Sequence, residues 1–241
     1  MNILLIGAER GIGATMAQQL SDGPDAQVIK TSRQYAALQA AESGQWTVHC
    51  DLQDPTSMSR LAEQLTDQFD RIDWLINCAG VLHNDQYMPE KSLKQVNQAQ
   101  MIDQFLTNAV GHLLLLQATQ GLLTQGHAAV VASISARIGS IGDNHLGGWY
   151  AYRMSKAALN MGLRTTAIEW ARQVPQVKFL LLHPGTTDTD LSKPFQQRLP
   201  AGQLQSPATT AQLLLQQIRK HQHHPHKYPL YLDHHGNTVP W

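Results

Sequence analysis

The chain opens on the stretch Ile3-Leu4-Leu5-Ile6-Gly7-Ala8-Glu9-Arg10-Gly11-Ile12-Gly13, in which a short apolar run leads directly into a glycine-rich turn. A segment with helical periodicity, Ala14–Ser21, follows the turn. Glycine permits close backbone approaches that a Cβ would block, and a helix N-terminus presents free N–H groups to a pyrophosphate. The spacing G-x-x-x-G-x-G differs from the commonest dinucleotide fingerprint, G-x-G-x-x-G. We therefore predict a strand, turn and helix that bind a dinucleotide, with Gly7, Gly11, Ile12 and Gly13 at its phosphates.

Short apolar runs alternate with longer amphipathic segments along the rest of the chain. The runs that we predict as strands are Ile3–Ile6, Val28–Ile29, Thr47–His49, Trp74–Ile76, Ala129–Ser133, Val177–Leu182 and Tyr228–Leu232. Helical periodicity marks Thr56–Phe69, Asn97–Leu123, Tyr152–Gln173 and Pro207–His221. Such alternation indicates a mostly parallel sheet with helices on both faces. We predict an α/β fold with a Rossmann-type doubly wound parallel sheet of about seven strands, in a single domain over residues 1–241.

The segment Asp190–Ser206 contains Pro194, Pro200 and Gly202 and lacks clear periodicity. It follows the sixth predicted strand, where a doubly wound sheet can carry a mobile flap over its ligand crevice. An ordinary surface loop explains the composition equally well.

Composition and charge exclude several classes of protein. Hydrophobic residues (Ala, Val, Ile, Leu, Met, Phe, Trp, Tyr and Cys) make up 42% of the chain, and its 18 Lys and Arg residues balance its 18 Asp and Glu residues. A chain without net charge has no long-range field for nucleic acid or an anionic membrane. Cys50 and Cys78 are too few for a disulfide framework, the first residues lack a signal-peptide pattern, and the apolar run Leu113–Leu116 is far shorter than a membrane span. We expect a soluble cytoplasmic protein that binds neither nucleic acid nor membrane.

The end of the second predicted strand reads Lys30-Thr31-Ser32-Arg33 and contains no acid. Sites for NAD usually place Asp or Glu there against the ribose hydroxyls, and a carboxylate would repel a 2′-phosphate. Arg33 can bind such a phosphate through paired charge-assisted hydrogen bonds, and Arg10 in the glycine turn can approach it. A solvated loop arginine is the alternative for Arg33. The missing acid favours NADP(H) over NAD(H), held at this end by Ser32, Arg33 and Arg10.

A tyrosine and a lysine stand four residues apart in Tyr152-Arg153-Met154-Ser155-Lys156, on a predicted helix. Residues at this spacing share one helix face, so the phenol and the ammonium can meet the same ligand. A nearby lysine and a positively charged nicotinamide favour the phenolate and lower the pKa of the tyrosine from its ordinary value near 10. The tyrosine can then exchange a proton with an alcohol or a carbonyl compound. The same spacing also occurs by chance in many helices.

An ordered set of motifs gives these patterns their specificity: Gly7–Gly13, Asn77-Cys78-Ala79-Gly80, Asn108, Tyr152-x-x-x-Lys156 and Pro184-Gly185. The set resembles the short-chain dehydrogenase/reductase family over nearly the whole chain. Three further stretches are similar to its bacterial C-factor-like branch, namely Ser135-Ala136-Arg137-Ile138-Gly139-Ser140, Gly147-Gly148-Trp149-Tyr150 and Asp233–Trp241.

The resemblance implies a role for each matching position. It places Asp51 and Leu52 around adenine, and Asn77, Ala79 and Gly80 beside the adenosine ribose. It places Pro184, Gly185 and Thr187 against the nicotinamide, with Thr189 near the carboxamide or the diphosphate. Lys156 is expected on the nicotinamide ribose and near Tyr152, while Asn108 holds helix geometry and a water of a proton relay. The residues expected to be catalytic are therefore Asn108, Ser135, Tyr152 and Lys156.

Two positions depart from the pattern of the family. Cys78 replaces the second asparagine of the usual Asn-Asn-Ala-Gly. The usual Ser-Ser pattern has its catalytic hydroxyl on the second serine, which aligns with Ala136. Ser135 is adjacent, but it points to the other side of an extended strand. Either a local backbone shift lets Ser135 supply the donor, or Ser140 or another group does, or the enzyme works slowly without one.

Histidines are frequent near the end of the chain, at His221, His223, His224, His226, His234 and His235. They lack an ordered carboxylate or cysteine pattern, so we expect no metal site and a solvated polar tail. His83 and His145 lie on predicted loops from which they can reach the substrate crevice.

These observations favour an NADP(H)-dependent oxidoreductase that interconverts a small carbonyl compound and its alcohol. A dinucleotide-binding regulatory protein of C-factor type with little turnover is the main alternative, motivated by the branch resemblance and by Ala136. A nucleotide-sugar epimerase shares the Tyr-Lys spacing but normally needs a larger C-terminal domain. In the family that the chain resembles, the two long helices often pair with their copies in another subunit, so the resemblance implies a homodimer or homotetramer. The apolar stripe of Leu113, Leu114 and Leu116 agrees with such pairing, and core packing explains it equally well.

Overall fold

A computed structural model of the chain describes residues 1–23, 26–41, 44–223 and 229–241. Its strands are β1 Asn2–Ile6, β2 Gln27–Ser32, β3 Gln39–Ala40, β4 Gln45–His49, β5 Trp74–Asn77, β6 Val130–Ile134, β7 Lys178–His183, β8 Thr186–Thr187, β9 Leu204–Gln205 and β10 Leu230–Asp233. Its α-helices are α1 Gly11–Ser21, α2 Pro55–Gln68, α3 Gln98–Phe105, α4 Gly111–Leu123, α5 Tyr150–Trp170 and α6 Pro207–His221. A π-helical segment, Leu106–Val110, joins α3 to α4.

Within the described ranges, one large sheet contains eight strands in the order β10-β7-β6-β5-β1-β2-β4-β3. Seven strands are parallel, and the short edge strand β3 pairs with β4 in the antiparallel sense. The central strand β1 pairs on both sides, so that Leu4 lies opposite Ile29 of β2 and Leu75 of β5. Because the chain first builds outward from β1 through β2 and then returns to β5, the strand order reverses between β1 and β5. A ligand crevice is expected at the carboxyl ends of strands at such a reversal.

The sheet is buried on both faces because successive side chains of a strand point in opposite directions. Leu4 and Ile6 of β1 contribute to a core that also contains residues of α2, α4 and α5. Ile3 and Leu5 face the other way and pack in a second core with residues of α1 and α6. Burial on both faces explains why these strands are continuous apolar runs in the sequence.

Side-chain caps fix where α2 and α6 begin. The carboxylate of Asp54 accepts a hydrogen bond from the backbone N–H of Thr56 at 2.9 Å, and α2 has proline as its first residue. The Ser206 hydroxyl accepts from Thr209 N–H at 3.0 Å at the start of α6, which also begins with proline. Both arrangements satisfy or avoid N–H groups that a helix cannot bond internally.

The predicted elements agree with the structure except in the short strands and the helix ends. All seven predicted strands are present, although Tyr228 lies outside the described residues. The strands β3, β8 and β9 were not predicted, and the predicted helix Asn97–Leu123 is divided by the π-helical segment. The segment Asp190–Ser206 contains a 3-10 helix over Lys193–Arg198, and its last residues form β9, which pairs with β8. This pairing attaches the segment to the loop that follows β7.

Helix α4 begins where it touches the loop after β4. A Cβ placed on Gly111 would lie 2.3 Å from the carbonyl oxygen of Leu52, whereas a Cβ on Gly121 of the same helix would meet nothing within 4 Å. The first glycine is therefore required by packing, and the second is not.

We predict opposite effects of the same substitution at these two glycines. Gly111→Ala should lower the free energy of unfolding by about 1–3 kcal/mol, because the methyl group forces the helix and the loop apart. Gly121→Ala should raise it by roughly 0.5–1 kcal/mol, because alanine loses less backbone entropy in a helix. Urea unfolding of both variants measures the difference. Equal changes would contradict the packing that we describe at Gly111.

Candidate cofactor and active site

The expected site residues lie on segments that leave the carboxyl ends of neighbouring parallel strands. The glycine turn follows β1, Arg33 follows β2, and Cys78-Ala79-Gly80 follows β5. Because the strands are parallel, these segments meet along one edge of the sheet, on both sides of the strand-order reversal.

Close backbone contacts shape the glycine turn. Gly7 and Gly11 have φ angles of 72° and 56°, in the region that favours glycine. A Cβ on Gly13 would lie 2.2 Å from the carbonyl oxygen of Gly7, so no other residue fits there without a shift of the backbone. Helix α1 has no side-chain cap at Arg10, and its first turn contains no acidic residue. The N-terminus of α1 is thus suited to a diphosphate, as the sequence predicts.

The expected 2′-phosphate end contains two exposed arginines. Arg33 lies just beyond β2 and forms no ion pair within the described part of the chain. The Arg10 guanidinium lies 3.4 Å from the carboxylate of Asp190, with side-chain exposures of 81% and 71%. An exposed pair of this kind contributes little, about 0–1 kcal/mol, and a phosphate can displace the aspartate.

The expected adenine-binding pair forms a tight turn after β4. The N–H of Asp51 donates to the Ser57 hydroxyl at 2.9 Å, and its carboxylate accepts from the N–H of Gln53 at 2.9 Å. Leu52 is buried and packs against the start of α4. Ser32, at the end of β2, is also buried, and its hydroxyl accepts from the N–H of Gln34 at 3.0 Å. These bonds give the three residues a structural role in shaping the edge of the crevice.

The loop after β5 contacts both the glycine turn and the expected catalytic residues. Asn77 is buried, its Oδ1 accepts from Ala79 N–H at 3.0 Å, and its Nδ2 has no partner among the described residues. A Cβ on Gly7 would lie 2.8 Å from the nitrogen of Ala79. A Cβ on Gly80 would lie 3.2 Å from Asn108 Oδ1 and 3.4 Å from Lys156 Nζ. The loop therefore joins the two halves of the site.

Tyr152 and Lys156 lie in the first two turns of α5, and both are buried. The Lys156 ammonium lies 5.8 Å from the centre of the Tyr152 ring and donates to the carbonyl oxygen of Ile134 at 2.9 Å. Burial, and to a smaller extent Tyr231, raises the pKa of Tyr152 above its ordinary value. Burial lowers the pKa of Lys156 to about 8. Loss of hydration is therefore the dominant influence that the protein itself exerts on this phenol.

Asn108 lies in the π-helical segment and connects two parts of the site. Its Oδ1 accepts from the N–H of Val81 at 2.8 Å, and its Nδ2 donates to Val81 O at 2.8 Å and to the Ser155 hydroxyl at 3.0 Å. The Ser155 hydroxyl also donates to the carbonyl oxygen of Tyr152 at 2.9 Å. Asn108 thus fixes the loop after β5 relative to the helix that carries Tyr152. A π-helical turn at this point is consistent with a functional position.

Ser135 does not present its hydroxyl to the crevice. It is 1% exposed, and its Oγ donates to Asn160 Oδ1 at 2.6 Å. The backbone carbonyl of Ala136 accepts from the Tyr231 hydroxyl at 2.6 Å, which ties the end of β6 to β10. Ser140, the alternative donor, is buried, and its Oγ accepts from the N–H of Asp143 at 3.1 Å. The structure therefore gives Ser135 a packing role in place of the predicted contact with a reacting oxygen.

The loop after β7 also approaches the glycine turn, at Gly11. Gly185, which follows Pro184, has a φ angle of 72°. The Thr187 hydroxyl lies 2.9 Å from that of Thr210 and is buried. A Cβ on Gly11 would lie 3.2 Å from Cγ2 of Thr189. Thr189 thus lies beside the glycine turn, whereas the Thr187 side chain is buried against Thr210.

Four residues at or next to the start of α5 are not among the predicted catalytic and cofactor-binding residues. The Trp149 ring centre lies 6.4 Å from that of Tyr152 and 4.7 Å from that of Phe195. Glu90 is buried, and its carboxylate accepts from Ala151 N–H at 3.2 and 3.3 Å at the start of α5. Arg153 binds the carbonyl oxygens of Gly147 and Gly148. The pair of glycines before Trp149 is a sequence signal for an unusual turn at this point, whereas no local sequence pattern indicates the role of Glu90.

The histidines divide into several environments. His83 contacts the ring of Phe195, with 5.8 Å between ring centres, and His145 is exposed. The His183 and His234 ring centres are 6.4 Å apart, while His224 and His226 lie outside the described residues. No group of three or more His, Cys, Asp or Glu side chains in the described ranges could hold a metal ion. None of the helices described is both long enough and apolar enough to span a membrane.

Comparison of the sequence with known proteins shows which proteins this chain resembles. The sequence profile described as short chain dehydrogenase matches residues 1–200. A 1-hydroxy-2-glutathionyl-2-methyl-3-butene dehydrogenase from Rhodococcus sp. is 32% identical over 199 residues, which are 80% of each chain. The C-signal protein of Myxococcus xanthus is 40% identical over 123 residues, or 51% of this chain and 70% of that protein.

Solved structures share the complete fold. A short-chain dehydrogenase/reductase from Burkholderia multivorans with bound NADP has a TM-score of 0.80 and 26% identity, covering 100% of this chain and 99% of that chain. A carbonyl reductase from Pseudomonas aeruginosa has a TM-score of 0.78 and 26% identity, with the same coverage.

Proposed function

This chain belongs to the short-chain dehydrogenase/reductase family, and on that basis we propose that it is an NADP(H)-dependent oxidoreductase that interconverts a small carbonyl compound and its alcohol. The observation that carries the proposal is the position of Tyr152 and Lys156. Both are buried on the first two turns of α5, beside a loop that also contacts the glycine turn.

Tyr152 is proposed to exchange the proton with the substrate oxygen. The bound nicotinamide supplies or accepts the hydride. Because burial raises the pKa of Tyr152, the phenol keeps its proton at neutral pH, which is the state that can donate to a carbonyl oxygen. Lys156, with its pKa lowered to about 8, carries its charge at pH 7 and stabilises the negative charge left on the tyrosine. Asn108 positions the helix and the adjoining loop through its three hydrogen bonds.

The preference for NADP(H) rests on charge at the end of β2. Arg33 is exposed there, and the stretch Lys30–Arg33 carries no carboxylate that would repel a 2′-phosphate. The Burkholderia relative contains NADP, which supports the same assignment for this chain.

A regulatory protein with little turnover is the second candidate. Ala136 in place of a serine and the similarity to the C-signal protein both favour it. Consumption of NADPH across a panel of aldehydes, ketones and quinones separates the two. Tight cofactor binding without turnover on any of them would favour the regulatory function.

We also propose that the protein acts in the cytoplasm as a homodimer or homotetramer. The free thiols of Cys50 and Cys78 support a reducing compartment. Leu116 of the predicted apolar stripe is buried in the core, and Leu113 packs against α5 at Gly162. Large apolar residues that remain exposed from α3 to α4 and on α5 are Ile102, Val110, Leu113, Met154 and Met161.

The oligomer should be visible in sedimentation at micromolar concentration. We expect the wild-type protein to sediment as a dimer or tetramer, and Met161→Lys, at the most exposed of these positions, to shift it toward monomer. Leu93→Lys changes an exposed leucine on a different segment and serves as the control. Monomeric wild-type protein would remove the proposal.

Removal of the phenolic oxygen tests the acid/base assignment. Tyr152→Phe should lower turnover by roughly 100- to 10,000-fold, the usual contribution of a general acid, and leave NADPH binding intact. Tyr150→Phe removes an equivalent hydroxyl from the first turn of the same helix and should change little. Lys156→Ala should damage both binding and turnover. Substantial activity in Tyr152→Phe, measured by NADPH absorbance, would exclude this tyrosine as the acid.

Cofactor choice tests the role of Arg33. Arg33→Ala should weaken NADPH binding by roughly tenfold to a hundredfold, since a charged hydrogen bond contributes about 1.5–3 kcal/mol. NADH binding should be nearly unchanged because NADH has no 2′-phosphate. Arg219→Ala, at an exposed position on α6, is the control. Equal losses for both cofactors in a fluorescence titration would show that Arg33 does not bind the phosphate.

A pair of substitutions tests the serine. Ser135→Ala removes the hydrogen bond to Asn160 and should cost about 1 kcal/mol of stability, with turnover changed only a few-fold. Ala136→Ser adds a hydroxyl at the position where the family has one. It should raise turnover, up to about 100-fold, because a donor to a developing oxyanion has an effect of that size. A large loss of turnover in Ser135→Ala would show that Ser135 is a catalytic residue.

A further inference from the structure

Trp149 has an unusual backbone conformation directly before the catalytic helix. Its φ of 53° and ψ of 45° are left-handed, and among the described residues it is the only non-glycine residue with positive φ. A bulky side chain in this conformation is strained and persists only where its surroundings hold it. Gly147 and Gly148 precede it, also with positive φ angles, of 65° and 66°.

Two charged side chains hold this corner. The carbonyl oxygen of Glu90 accepts from Trp149 N–H at 2.6 Å, while the buried Glu90 carboxylate bonds the N–H of Ala151. The Arg153 guanidinium donates to the carbonyl oxygens of Gly148 at 3.0 Å, Gly147 at 3.1 Å and Ile138 at 3.2 Å. These bonds hold the backbone at and just before Trp149, from which the indole extends. Strain maintained in this way is typical of residues that shape a binding site.

The indole belongs to an aromatic wall that consists of Trp149, Phe195 and His83. The ring centres of Trp149 and Phe195 are 4.7 Å apart, and those of Phe195 and His83 are 5.8 Å apart. All three residues are only partly buried, so the wall keeps accessible surface. His83 Nε2 donates to Leu191 O at 3.1 Å, which directs its polar atom toward the protein chain. The wall thus presents ring surface next to Tyr152, whose ring centre is 6.4 Å from that of Trp149.

We propose that the aromatic wall selects substrates in which the carbonyl group is attached to a flat, conjugated ring, and that Trp149 and Phe195 are the specificity-determining residues. The inference rests on the proposed function, because it needs Tyr152 to act on the carbonyl oxygen. Flat rings gain offset-stacked or edge-to-face contacts with aromatic side chains that a puckered aliphatic ring of similar size does not. Each such contact favours the flat ring by roughly two- to tenfold.

Two matched ketones test the selectivity. Acetophenone and cyclohexyl methyl ketone have the same number of carbon atoms, but only the first has a flat ring. Wild-type protein should give a higher kcat/KM for acetophenone. Phe195→Leu keeps an apolar side chain and should reduce this preference by about two- to tenfold, mainly through acetophenone. Phe195→Tyr retains the ring and should retain the preference, and Trp149→Leu should behave like Phe195→Leu.

A binding measurement separates failure of this inference from failure of the proposed function. Tyr152→Phe loaded with NADP⁺ should bind acetophenone more tightly than cyclohexyl methyl ketone in calorimetry, and the added Phe195→Leu change should remove the difference. Turnover of both ketones with the same preference in wild type and Phe195→Leu would overturn the inference and leave the proposed function standing. No turnover of any carbonyl compound would overturn the proposed function, and equal binding of the two ketones would then overturn the inference as well.

Discussion

Close backbone contact between the glycine turn and the loop after β5 is the constraint on which the site depends. A Cβ on Gly13 would lie 2.2 Å from the carbonyl of Gly7, and a Cβ on Gly7 would lie 2.8 Å from the nitrogen of Ala79. The glycine turn therefore touches both its own helix and the loop after β5. The loop after β5 is also hydrogen-bonded to Asn108 and lies against Lys156. It therefore connects the glycine turn to the expected catalytic residues. A side chain at either glycine would separate them.

The chemistry of Tyr152 and Lys156 follows from where α5 lies, more than from the spacing of the two residues. The helix places both groups in the interior, where loss of hydration raises the pKa of Tyr152 and lowers that of Lys156. The lysine directs its ammonium to the carbonyl of Ile134 at 2.9 Å and not to the phenol. Local sequence can give the face on which two residues lie. It cannot give the carbonyl oxygen, 22 residues away, that one of them binds.

The parts of the fold that could be predicted are those whose signal is local. The apolar strands, the glycine turn and the capped helix Pro207–His221 each carry their pattern within one short segment. The strands β3, β8 and β9 have two residues each, too few to show periodicity. The carboxylate of Glu90 accepts a hydrogen bond from Ala151 N–H at the start of α5, 61 residues later in the chain, and no sequence motif predicts such a contact. Ser135 shows the same limit, because its hydrogen-bond partner, Asn160, lies 25 residues away and is set by packing.

In the proposed reaction, Ala136 stands where the resemblance to the family leads us to expect a serine, and this makes the protonation state of Tyr152 more important. A second hydroxyl would ordinarily share the charge that develops on the substrate oxygen, and Ser135 and Ser140 are both engaged in bonds within the protein. In the proposed reaction, the stabilisation must then come chiefly from transfer of the phenolic proton. A buried phenol with a raised pKa keeps its proton at neutral pH, which is the form that reduction needs, but it is also a weaker acid. The site as folded therefore holds the form of the phenol from which reduction of a carbonyl compound starts, and the positive charge that an oxidised nicotinamide would carry favours release of its proton by lowering the pKa of the phenol.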